Sequence, residues 1–353
     1  MPVLIKPTRL FSDELLQHYR QQGDAPADDV IAAIIAADGP AGLRALMRWL
    51  ADTADFSLVE QHPAVQVFFS EYASLPSWAK PDAMQRGMNF FQKNAQQIGL
   101  VLGFFSLPYS YLGAHGAQVL WLTERIKNDT ARRLQETGEW VFAVNNPKEW
   151  KTGNAIARIL KIRLIHAGAR WFSLHSGRWT MDWGYPVNQE DMAGTNIAFS
   201  YIVILGLRKL AGRSMFNAAT EQEEEDYLHH ISVVNYLNGV VDALLPQNLR
   251  EAFMLHQVIS RRQFAPSEAG VGLTRSLLNA MADVANNPQL TKQESAKTKR
   301  SNIGTDSMRN LAAGEMRFFL GDDYADWLGI PTVSVEKRLI GLLNKLPIFP
   351  NKV

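Results

Sequence analysis

Apolar residues recur at a spacing near 3.6 along almost the whole chain, and strand-like alternation is nearly absent, so the pattern predicts an all-α fold. Asn146-Pro147 separates a predicted helix over 130–144 from a long one over 148–176, which Gly177 is suited to end. Asn188, with Asp191 three residues later, predicts an N-cap opening an apolar helix that stops near Gly212. Thr220 with Glu223 repeats that logic as a capping box, which makes the acidic run 221–226 a solvated helix start with no chemistry of its own. Further helices are predicted over 246–264, 267–284, 308–319, 327–330 and, amphipathically, 335–346.

Two stretches depart from this rhythm. Between Lys93 and Glu124 no Asp, Glu, Lys or Arg occurs, which makes this span the best candidate to cross a membrane. Gln96, Gln97, Pro108, His115 and Gln118 lie within it, so a buried helix pair broken at Pro108 is the expectation, with no stable membrane insertion. The polar stretch 286–306 holds Lys292, Lys297, Lys299 and Arg300 and predicts a mobile loop. With no aromatic residue interleaved, it makes a poor nucleic-acid patch.

Composition narrows the function classes. The 353 residues suit one enlarged helical domain, and 46% hydrophobic against 20% charged residues leaves ample core. Lys plus Arg number 36 and Asp plus Glu 35, so no net field draws in nucleic acid or another polyanion. The absence of cysteine excludes disulfides, thiolate catalysis, Cys-ligated zinc, iron–sulfur clusters and thiolate-ligated haem. The N-terminal residues show no basic segment leading into an apolar run, and the expectation is a cytoplasmic protein. Phosphate-loop, nucleophile-elbow, zinc-protease and calcium-loop motifs are missing as well.

The informative polar residues lie on apolar helices, where burying a charge costs several kcal/mol unless something compensates it. Arg163, His166 and Arg170 fall at i, i+3 and i+7, one helical stripe with an imidazole between two guanidiniums. Flanking cations favour neutral imidazole, the form that binds iron, and the arginines could pair with porphyrin propionates. Ala167, Gly168 and Ala169 would let a flat macrocycle approach. The plain alternatives are a hydrogen-bonded core histidine and a solvated arginine stripe. The remaining histidines, among them His62, His115, His175 and the His229-His230 pair, read as structural, and repeated Glu-x-x-His pairs for a di-iron site are absent.

The motif Arg163-x-x-His166-x-x-x-Arg170 resembles the haem-ligand motif of the latex clearing protein (rubber oxygenase) family. Upstream, Arg133-x-x-Glu136-Thr137 resembles that family's distal motif. Downstream, the block from Trp183 to Thr195, Phe199-Ser200, and Leu244-Leu245-Pro246 after Gly239 are similar to further family blocks. The resemblance runs over about residues 60–260 and extends to the oxygenase of mycophenolic acid biosynthesis that shortens a prenyl side chain. It implies a globin-like helical core holding haem b, with His166 as proximal iron ligand, Arg163 and Arg170 anchoring the cofactor, and Arg133, Glu136 and Thr137 shaping the distal side. The implied activity is oxygenation of a C=C bond with dioxygen.

Glu136 departs from the family, whose best-known rubber-cleaving member carries a Lys there. A carboxylate in a hydrophobic pocket could serve as general base; the alternative is an exposed helical Glu near Arg132 or Arg133. With no export signal, solid rubber is out of reach, and a small apolar unsaturated substrate is expected, with Phe104, Phe105, Tyr109 and Tyr111 as channel or core residues. A non-catalytic haem or apolar-ligand binder on the same fold is the rival reading.

Overall fold

The structure, a computed structural model, describes residues 8–122, 130–212, 219–286 and 305–333. Among these every regular element is a helix, and the one bridge outside them pairs Gly113 with Phe264. The fold is all-α, as the 3.6 spacing predicts. The segment 335–346 and almost all of 286–306 lie outside the described residues.

The chain divides into two compact units, each assembled from separate stretches. The first comprises the chain up to Met88, Ile156–Tyr201 and Thr220–Gln263; the second comprises Asn89–Ala155, Ile202–Ala219 and the chain from Phe264 onward.

In the first unit the core forms around the helix Ala25–Ala51. Its bulky residues Ile31, Ile34, Leu43, Leu46, Trp49 and Leu50 are buried with Phe68 and Phe69 of Pro63–Tyr72 and with Leu160, Leu164 and Ala167 of Asn154–Leu174. Gly39, at φ 62°, and Pro40 kink this helix. By length and composition the stretch Asp13–Ala51, rather than 93–124, is the one membrane-span candidate among the described residues. Its large side chains face this core, and its exposed positions include Ala32, Ala36, Ala41, Asp38 and Arg44. Lys161 closes the helix's C-terminal end: its buried ammonium donates to the carbonyls of Trp49 and Asp52, each at 2.8 Å, and of Asp55.

Local signals fix the other boundaries. Asn188 caps Gln189–Phe199 by accepting from the Asp191 N–H at 2.9 Å, and Thr220 with Glu223 forms the capping box that starts Glu221–Leu237. The predicted helix to Gly212 is broken at Ser200, whose ψ of −81° leaves helical geometry before Tyr201–Gly212 begins. The predicted 148–176 helix is likewise two, Pro147–Thr152 and Asn154–Leu174, because Gly153 takes φ 79°.

In the second unit Pro108 breaks nothing. Ala95–Val101 runs through a π-helical turn, Leu102–Ser106, into Leu107–Tyr111, and the Leu107 N–H donates to the Leu102 carbonyl five residues back. The wider winding gives room to a proline that lacks an N–H and would crowd the carbonyl one α-turn before it. Phe104, Phe105, Tyr109 and Tyr111 are all buried; Phe105 stacks on Phe319 and Tyr109 meets Phe264 edge-on. They pack as core in this unit.

Candidate functional site

The stripe read from the sequence stands on Asn154–Leu174, in the first unit, and its three members have different surroundings. Arg163 is buried and bonds Asp24 through both oxygens, Nε to Oδ2 at 2.6 Å and Nη2 to Oδ1 at 2.8 Å. Its guanidinium also lies over the Tyr72 ring, 4.6 Å from the centroid. Arg170, 1% exposed, bonds Asp28 at 2.6 Å and the Val187 carbonyl at 3.3 Å. Burial pushes the Asp28 carboxyl up and the adjacent Arg170 opposes this. Each guanidinium therefore meets a carboxylate of the chain itself. This departs from the expected setting, in which two uncompensated cations act on His166 and reach for propionates.

His166 lies between these pairs along the helix, half-buried, with its Nδ1 buried. Ile162 and Ala169, four residues before and three after, share its half-buried face. The other two small residues serve the core instead: Ala167 is 1% exposed, and a Cβ on Gly168 would come 2.6 Å from the Met47 sulfur. Only Ala169 remains beside the imidazole as the macrocycle expectation asks.

Arg133, Glu136 and Thr137 stand on Thr130–Val144, in the second unit. Arg133, Thr137 and Trp140 occupy one half-buried face at i, i+4 and i+7. Arg133's charge acts on the buried Tyr111 phenol, which burial nonetheless pushes up to about 12. Tyr111 thus stays protonated at neutral pH as a hydrogen-bond donor. Glu136 is one step around the helix, exposed, accepting from Arg132 Nε at 2.9 Å. Of the two settings left open for its carboxyl, a hydrophobic pocket or an exposed helical position near Arg132 or Arg133, it takes the second.

Two participants escaped the sequence reading. Asp24 and Asp28 neutralise the stripe's arginines across 139 and 142 residues of chain. That buried arginines require carboxylates was foreseeable; which of the 35 acidic residues supplies them was not. Three of the other histidines make local contacts: His62 caps Pro63–Tyr72 by accepting from the Ala64 N–H, His229 accepts from the Lys80 N–H, and His175 stacks on Trp171.

Among the described residues no three His, Asp or Glu side chains gather to chelate a metal ion. A tetrapyrrole brings four nitrogens and asks the protein for one imidazole, so the donor set present fits a haem.

Among the described residues every regular element is helical, and the polar stripe stands on one long helix. Residues 99–345 match the family described as ER-bound oxygenase mpaB/B'/rubber oxygenase, catalytic domain, and the chain belongs to that family. The match reaches further toward the C-terminus than the 60–260 read from motifs. Rubber oxygenase of Streptomyces sp. (strain K30) is 25% identical over 323 residues, covering 90% of this chain and 73% of that protein. The fold is similar to that of latex clearing protein LCP in the closed state, with TM-score 0.67 and 21% identity over 93% of this chain and 83% of the other.

Proposed function

We propose that this chain is a haem b-dependent oxygenase that cleaves a C=C bond of an apolar molecule with dioxygen, and that His166 is the protein's ligand to the iron. The observation carrying this reading is the setting of His166, a half-buried imidazole held on a partly open helix face between two closed ion pairs. Membership of an oxygenase family supports the reaction class. Haem, when bound, supplies an iron that activates dioxygen. In the balanced reaction both oxygen atoms enter the product, each alkene carbon becomes a carbonyl carbon, and no external reductant is consumed.

The chain's own residues divide the remaining work. His166 presents a ring nitrogen to the iron, while Arg163 and Arg170 on either side of it are closed on Asp24 and Asp28. On Thr130–Val144, Arg133 offers a permanent cation with fixed donors and Thr137 a hydroxyl on the same face, groups suited to hydrogen-bonding oxygen atoms. Tyr111 adds a proton-bearing phenol near Arg133. Glu136 is assigned no step.

The substrate in this reading is a small apolar isoprenoid, lipid or secondary metabolite carrying a C=C bond, met in the cytoplasm, with no nucleic-acid partner. The test supplies the haem-loaded chain with a short isoprenoid alkene, and separately with polyisoprene, under 18O-labelled dioxygen. Labelled carbonyl products from the short alkene are expected. Changes in the haem spectrum with no product from either would favour a non-catalytic binder on the same fold.

A further inference from the structure

Buried ion pairs seldom stabilise more than apolar residues of the same shape would, so two of them closing on one helix call for another reason. In the first unit both occur on the helix that carries His166, with Arg163 three residues before the imidazole and Arg170 four residues after. Their partners, Asp24 and Asp28, stand four residues apart where Ala25–Ala51 begins, and the Asp24 N–H donates to Asp28 Oδ2 at 3.3 Å.

Each pair is enclosed by a glycine that leaves no room for error. A Cβ on Gly239, whose φ is 92°, would lie 2.3 Å from Asp24 Oδ2 and 2.7 Å from Arg163 Nε. A Cβ on Gly23 would lie 2.8 Å from Asp28 Oδ2, 3.0 Å from Arg170 Cδ and 2.7 Å from the Tyr185 ring. Val187, whose carbonyl accepts from Arg170, is the one described non-glycine residue at positive φ, 48°, a costly conformation for a β-branched residue. Close packing and backbone strain both converge on these guanidiniums.

We infer that Asp24 and Asp28 are positioning residues for His166: the two ion pairs fix the rotation of Asn154–Leu174 and so aim the imidazole. A helix held at one point can still turn about its axis. Held at Arg163 and Arg170, about two turns apart on one stripe, it cannot turn without stretching charged hydrogen bonds at 2.6 Å. The inference rests on the haem reading for its consequence, since outer partners of a metal ligand typically govern affinity by about 10–100-fold.

The test uses the full chain with 13C-labelled histidine, the His166 ring resonance being assigned by its loss in His166→Gln. Asp28→Asn removes the more accessible carboxylate. Asp24→Asn leaves a buried guanidinium uncompensated and can fail to fold, so Asp24→Asn with Arg163→Met replaces that pair by neutral groups that pack. In both, the apo His166 resonance is expected to split or broaden, and the haem dissociation constant to rise about tenfold or more. Glu251→Gln is the control: it breaks the Arg9–Glu251 pair elsewhere in the unit, lowers stability, and leaves the His166 resonance and haem affinity as they were. An unchanged resonance in both folded variants overturns the inference, as does an equal change in Glu251→Gln. If the wild-type chain takes up no haem, the haem reading fails, and the apo resonance alone still decides whether the aspartates aim His166.

Discussion

Gly168 lies under Met47, so close that a Cβ added to the glycine would stand 2.6 Å from the thioether sulfur. The obstacle is the movable end of a flexible side chain. Gly206 differs: its Cβ would meet Val101 Cγ1 at 2.3 Å and Cγ2 at 2.7 Å, on a side chain stiff at χ1. Gly168→Ala is expected to melt within a few degrees of wild type, because about 1 kcal/mol of helix propensity offsets the shift of Met47. Gly206→Ala should cost about 1–3 kcal/mol through overpacking, measured by chemical denaturation.

Lys161 closes three carbonyls at the end of Ala25–Ala51 with one ammonium that lies 4.1 Å from the Trp49 ring centroid. Replacing it by Met keeps the volume and leaves those acceptors without their donor. Lys161→Met should lower stability by about 2–4 kcal/mol and alter Trp49 emission through loss of the cation over the indole. Unchanged denaturation midpoints would remove the capping role.

Acid should weaken the fold through His256. Burial pulls its pKa from 6.5 down to about 4, so the folded chain keeps the ring neutral where the unfolded chain protonates it. The unfolded state then binds more protons between pH 6.5 and 4. Stability is complete above pH 6.5 and declines on the way to pH 4, by about 3 kcal/mol from this ring. His229, lowered chiefly by burial, acts in the same direction; Asp28 and Asp191, raised chiefly by burial, act oppositely at the acid end. His256→Phe should flatten this part of the stability–pH curve.

Glu136 and Thr137 are neighbours in sequence and separate in role. The Arg132–Glu136 pair is exposed at both side chains, and Glu136→Ala should shift stability by less than about 0.5 kcal/mol and leave alkene turnover at the wild-type rate. Thr137→Val and Arg133→Ala, on the half-buried face, should reduce turnover while the circular dichroism spectrum is preserved. Loss of turnover in Glu136→Ala would restore that carboxylate to the chemistry.

The helical class and several boundaries were legible because their causes are local: Asn188 with Asp191 and Thr220 with Glu223 each carry their meaning within four residues. Ser200 was invisible because the apolar pattern runs across it, and Pro108 misled because π winding absorbs a proline that α winding would not. His166 was visible as a polar residue on an apolar helix. Its surroundings were not, since Asp24 and Asp28 reach the arginines beside it through tertiary packing that no periodicity encodes. The outward position of Glu136 was within reach of the same 3.6 rule, which groups Arg133 with Thr137 and Arg132 with Glu136.

Whether His166 holds haem iron is decided by absorption spectroscopy of the purified chain titrated with haem, beside His166→Ala. With His166 as ligand, the wild type shows a saturable Soret band, and the variant loses it or shows a weakly bound form that added imidazole restores. A wild type that takes up no haem, or a variant with the same band and the same affinity, would contradict that role.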